Sequence, residues 1–154
     1  MRRLALLFAV LLATPASAAT YHLVAKVPMG VMFVDVGSIK KVGNLSSIWT
    51  TMFLFKDGAD GLTGNPKTAA IVWHDQYDCS SSVSRHLSMQ SYDANGYPTD
   101  AVDQLAPWKD IVPDSNDSVS ERFACDANFA ATDTGWTSDM LPMLSTVRSV
   151  RGWK

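Results

Sequence analysis

Hydrophobic and polar residues alternate most clearly over Thr68–Cys79, which reads TAAIVWHDQYDC. One set is Ala69, Ile71, Trp73, Asp75, Tyr77 and Cys79; the other is Ala70, Val72, His74, Gln76 and Asp78. A period of two with one oily side predicts a strand lying on a core. Trp73 and Tyr77 should therefore point inward. Asp75 is the one charge on the apolar side, and it needs a partner, an edge or water.

The same reading predicts strands over Tyr21–Val27, Val31–Val36, Leu45–Phe55 and Arg85–Tyr92. Gly37-Ser38 is expected to end the second of these. The third is apolar on both sides: Leu45, Trp49, Phe53 and Phe55 on one, Ile48, Met52 and Leu54 on the other. An ordinary surface strand is polar on one side, so this one should be central and covered twice, by a helix or by a second subunit. Trp49 is expected in the core. In Arg85–Tyr92, Leu87 and Met89 should point inward. Asp93-Ala94-Asn95-Gly96 carries a tight-turn signal. Short turns between successive strands imply an antiparallel meander.

Beyond Pro98 the alternation fades. Ala101–Trp108 is expected to be a short helix or irregular, and Trp108–Pro113 extended. Ser118 and Glu121 have capping-box spacing, which predicts a helix from Val119 with Val119, Phe123 and Ala127 on one side and Cys125 near its end. Residues 126–135 read as a polar loop. Leu141, Leu144 and Val147 predict a second helix over Ser138–Val150. The fold class is α+β: an antiparallel sheet of five to six strands packed with one or two C-terminal helices.

The first residues have a different character. Arg2 and Arg3 precede a ten-residue apolar run, Leu4–Ala13, and Ala16-Ser17-Ala18 is a small-x-small cleavage site. This is the pattern of a secretory signal peptide, 1–18, cleaved after Ala18. The run is too short for a bilayer, which takes about 20 residues. The remaining residues, 19–154, should form one domain. They keep 11 of the 13 basic residues against 15 acidic ones, a formal charge of −4. Dispersed, mildly acidic charge gives no case for nucleic acid, and no further apolar run spans a membrane.

Export changes the reading of Cys79 and Cys125, the two cysteines of the chain. In an oxidising compartment they should be paired. The chain-entropy model values such a loop at roughly 4 kcal/mol.

Candidate chemistry is sparse. Asp57 and Asp60 in the loop Lys56–Lys67 lack the ligand spacing and closing Glu of a calcium loop. There is no Gly-x-Ser-x-Gly elbow and no phosphate loop. His22, His74 and His86 share no motif; His74 and His86 are expected on the more polar side of a hairpin, where they could face each other. Trp136 and Trp153, in polar surroundings, are candidates for an interface. No catalytic residue, cofactor site or metal site is assigned.

Phe33-Val34-Asp35, Ser38-Ile39-Lys40-Lys41, Gly43-Asn44 and Trp49 together resemble the opening of the surface-adhesin protein E-like family. The resemblance continues through Lys67 and Tyr77-Asp78-Cys79, resumes at Trp108, Ile111 and Pro113, and ends at Cys125, covering about 21–125. It implies an antiparallel sheet with a C-terminal helix and a Cys79–Cys125 bond. It also implies an exported, non-enzymatic binding domain whose partner is an envelope or host extracellular protein. The named family member is a lipid-anchored adhesin; this chain has no lipidation cysteine directly after the expected cleavage site and continues past Cys125 as an extension, 126–154. The alternative reading is a periplasmic structural or accessory protein, with a homodimer as one form, and the least favoured is a small secreted hydrolase.

Overall fold

The structure, a computed structural model, describes residues 19–55, 64–103, 105–132 and 136–137. The expected signal peptide, most of the 56–67 loop, the expected helix over 138–150, Trp153 and the Trp136 side chain lie outside the described residues.

Six principal strands form an antiparallel meander: β1 (Thr20–Val27), β2 (Gly30–Val42), β3 (Leu45–Leu54), β4 (Thr68–Asp78), β5 (Val83–Asp93) and β6 (Pro98–Val102). Two short strands complete the sheet, β7 (Lys109–Asp110) against β5 and β8 (Trp136–Thr137) against β1. Helices α1 (Asn116–Cys125) and α2 (Ala127–Thr132) follow β7. The meander, the central place of β3 and the disulfide agree with the sequence reading.

Local chemistry explains the connections. Gly43-Asn44 joins β2 to β3 as a two-residue hairpin with Gly43 at φ +60°, which suits a residue without Cβ. Gly30 is required for another reason: a Cβ there would lie 2.4 Å from the Phe53 carbonyl oxygen. At the β5–β6 turn the Asp93 side chain accepts from the amides of Asn95 and Tyr97.

Two irregularities correct the sequence reading. β2 does not end at Gly37-Ser38; it bulges between Asp35 and Lys40 and runs on to Val42. The extra residues are held by polar contacts: Asp35 Oδ1 accepts from the amides of Thr20 and Gly37, and the Ser38 hydroxyl donates to the Asp35 carbonyl while accepting from the Trp49 amide. In β5 the pairing shifts from His74↔Ser88 to Asp75↔His86, so one residue, Leu87, is extra. Because side chains alternate, one inserted residue exchanges faces. Leu87 and Met89 therefore do not share the inward side; His86 and Met89 do.

The C-terminal elements differ as well. Ala101-Val102 belongs to β6, and 105–108 has no regular structure. Helix α1 begins earlier than Val119. Its cap is Ser115, whose hydroxyl accepts from the Ser118 amide, while the Ser118 hydroxyl donates back to the Ser115 carbonyl. Two serines three apart offer two possible caps, and Glu121 is not part of the one used. Residues 127–132 are helical rather than loop, with Ala127 exposed at the start of α2.

Helix α1 lies across one end of one sheet face. Phe123 and Ala124 pack on Val34, Ile48 and Tyr77. The Ser46 hydroxyl donates to the Ala124 carbonyl at 2.7 Å, and Lys41 Nζ donates to the Cys125 carbonyl at 3.0 Å. The Cys79–Cys125 disulfide closes the same corner. On the opposite face Tyr21, Phe33 and Phe53 meet edge to face. Strand β3 is buried on both sides, as expected, except at Trp49, which is 37% exposed.

Candidate functional site

The face that carries α1 is longer than α1 can cover. Beyond the helix, Met32, Met52, Leu54 and Ile71 form a second apolar cluster, with Trp73 and Met89 half-buried at its margin. The chain then runs on along the outer edge of β5: the Ala106 amide donates to the His86 carbonyl at 2.9 Å, and β7 pairs with Val83 and Ser84. The irregular stretch beside Ala106 borders the apolar margin without covering it.

Two adjoining hollows result. One, of about 380 Å³, lies between Trp73, Met89, Val102, Leu105 and Pro107. The other, of about 220 Å³, lies between Met32, Met52, Lys109 and the first turn of α1 at Asn116 and Asp117. Trp73 and His86 line both. Together they form a cleft with an apolar floor and a charged end.

The charged end explains Asp75. Its carboxylate, 5% exposed, is 2.6 Å from Nδ1 of His86. That hydrogen bond, with the Asp75 charge and a smaller contribution from Asp117, raises the His86 pKa; burial and Lys109 oppose it. Lys109 and Asp117 pair at 2.7 Å on the rim. Asp117 in the first turn of α1 also suits the helix dipole. Burial among carboxylates pushes the neighbouring Tyr77 phenol far above its usual range, so it stays protonated.

His74 is not part of this site. It pairs in register with Trp49 on the opposite face and stacks on its ring at 4.4 Å, 12° from parallel. The expected meeting of His74 and His86 fails because the two lie on opposite sides of the sheet. Burial lowers the His74 pKa, aided by Lys40 and opposed by Asp75. Trp49, expected in the core, gives an exposed ring to this stack. On the same face Arg85 hydrogen-bonds the Gln76 side chain and lies over Trp108, 4.2 Å from the ring centre. His22 is buried against Phe123 at 5.3 Å.

The sequence reading missed Met32, Lys109, Asn116 and Asp117 as site residues, because no periodicity in 105–117 tells where that segment lies against the sheet. The one sequence signal was Asp75, a charge on an apolar side. Among the described residues no three His, Cys, Asp or Glu side chains are placed to hold a metal ion. No helix of the described residues is long and apolar enough to cross a membrane.

Comparison with known proteins gives one family. Residues 21–126 match the family model described as surface-adhesin protein E. The fold is that of Haemophilus influenzae protein E, at 15% identity and a TM-score of 0.53 over 77% of this chain and 92% of that one. A second structure, of protein E from non-typeable Haemophilus influenzae, matches 77% of this chain and 90% of its own at 14% identity, with a TM-score of 0.46. No curated protein matches the sequence.

Proposed function

The chain belongs to the surface-adhesin protein E family, and from that premise we propose that it is exported, loses residues 1–18 after Ala18, and binds an envelope or host extracellular protein through the cleft beside α1. The observation that carries the reading is the family match over 21–126, joined to a cleft with an exposed apolar rim. Val102 and Leu105 stand exposed along the segment that forms this rim. Apolar groups gathered beside a concave surface fit a protein partner better than a small polar substrate. No catalytic role is assigned to Asp75 and His86; they orient and charge the end of the cleft.

The test is capture by the mature chain. Immobilised 19–154 should retain a protein from an envelope extract or from a set of purified extracellular-matrix proteins, and Leu105→Asp should weaken retention at least tenfold. Retention of no protein above a blank surface would overturn the reading. N-terminal sequencing of the exported chain should begin at Ala19.

One observation favours the periplasmic accessory alternative. Both cysteines are joined to each other, so neither is free to carry a lipid. Protease added to intact cells separates the two: a surface protein is cut, a periplasmic one is spared.

A further inference from the structure

The larger hollow has one imidazole set in an apolar wall. Trp73, Met89, Val102, Leu105 and Pro107 supply the apolar surface, and His86 borders the same space. Trp73 and Met89 are cross-strand partners on β4 and β5, so their side chains stand next to each other. At about 380 Å³ the space falls at the lower end of small-molecule pockets, roughly 300–1,000 Å³. An indole beside a thioether favours an aromatic ring over an aliphatic chain, because rings meet edge to face or offset and sulfur packs at a ring edge.

The hydrogen-bonding pattern at His86 narrows the ligand further. Nδ1 lies 2.6 Å from the Asp75 carboxylate, which only accepts, so Nδ1 carries a proton. Asp75 borders the smaller hollow and not the larger one. Nε2, across the ring, has no hydrogen-bond partner among the described residues, and the side chain is 41% exposed. The other charged groups around the ring are Lys109 on β7 and Asp117 on α1, and they pair with each other at 2.7 Å. In the neutral ring Nε2 accepts; in the charged ring it donates. The Asp75 bond raises the His86 pKa, so both forms matter near neutral pH. An indole N–H meets only the neutral form, and a carboxylate meets only the charged one. A phenol hydroxyl donates and accepts, so it meets both.

We infer that the larger hollow receives a tyrosine side chain of the partner protein, its ring against Trp73 and Met89 and its hydroxyl on His86 Nε2. The inference rests on the protein-binding reading of the cleft and names the anchor that the cleft takes.

The experiment titrates the disulfide-bonded mature chain with four small probes: p-cresol, toluene, 3-methylindole and p-toluate. The indole ¹⁵N signals and the ¹³C-labelled methionine methyls locate the binding. p-Cresol should shift Trp73 and Met89, leave Trp49 and Met29 in place, and bind at least fivefold tighter than toluene both near pH 5.5 and near pH 8.5. 3-Methylindole should weaken at the lower pH and p-toluate at the higher. Equal binding of p-cresol and toluene, shifts at Trp49 with Trp73 and Met89 unmoved, or no shift up to the solubility of p-cresol would overturn the inference. All signals are read on the unmutated chain, so no variant has to fold. A captured protein whose interface tyrosines all tolerate change to phenylalanine would sink the inference and leave the protein-binding reading standing. Capture of no protein, with p-cresol bound as described, would sink that reading and leave the phenol pocket.

Discussion

One sheet face has two halves of opposite construction. Under α1 it is closed: Phe123 is 2% exposed, Ser46 and Lys41 bond the last turn of the helix, and Cys79–Cys125 ties the corner. Beyond α1 it is open, with Trp73 and Met89 half-buried beside the edge segment at Leu105–Pro107. The difference teaches how a small sheet can keep a cleft. Packing and a covalent tie are concentrated at one end, so the other end need not be filled for the fold to hold.

That contrast can be broken by mutation at either end. The largest effect is expected in the closed half: Phe123→Ala should cost about 3–5 kcal/mol in urea unfolding, through lost contact and a cavity. Removing the disulfide with Cys79→Ser and Cys125→Ser should cost roughly 4 kcal/mol by the chain-entropy model. Loss of the α1 cap in Ser115→Ala should cost about 1 kcal/mol. In the open half, Met89→Leu should cost less than about 1.5 kcal/mol, because volume is conserved and the side chain is only half-buried. If Met89→Leu destabilises as much as Phe123→Ala, the two halves are not different in kind.

The smallest effect concerns the two histidines, and it sharpens the comparison of the two faces. The fold raises the His86 pKa above 6.5, so its contribution is full below that pH and is lost as pH rises through the folded value. The fold lowers the His74 pKa below 6.5, so its contribution is full above that pH and is lost as pH falls through the folded value. Together they predict a shallow stability maximum near pH 6.5. Both rings are partly solvated, so each limb is worth a few tenths of a kcal/mol after screening. His86→Gln should flatten the alkaline limb and His74→Gln the acid one; unfolding midpoints across pH 5–8 read both.

The strands, their order and the disulfide were legible because alternation and the cysteines report on them directly. The faces were less so. The Leu87 bulge reverses the parity of β5, and no residue type marks its place. That single insertion turns an expected His74–His86 contact into Asp75–His86. The start of α1 was read at Ser118 with Glu121, but the cap is Ser115, whose hydroxyl and carbonyl accept from the Ser118 amide and hydroxyl. The cleft itself was not legible, since it is bordered by the irregular stretch 105–107 beside β5 and by the first turn of α1, which no periodicity places there. Only Asp75 pointed to it.

On the function proposed above, the open half of this face is the half that binds. Hydroxyl-radical footprinting of the mature chain, free and with its captured partner, tests this most directly. Val102, Leu105 and Met89 should be protected in the complex, while Trp49 and His74 on the opposite face keep their free reactivity. Protection confined to Trp49 and His74, with the cleft as reactive as before, would contradict it.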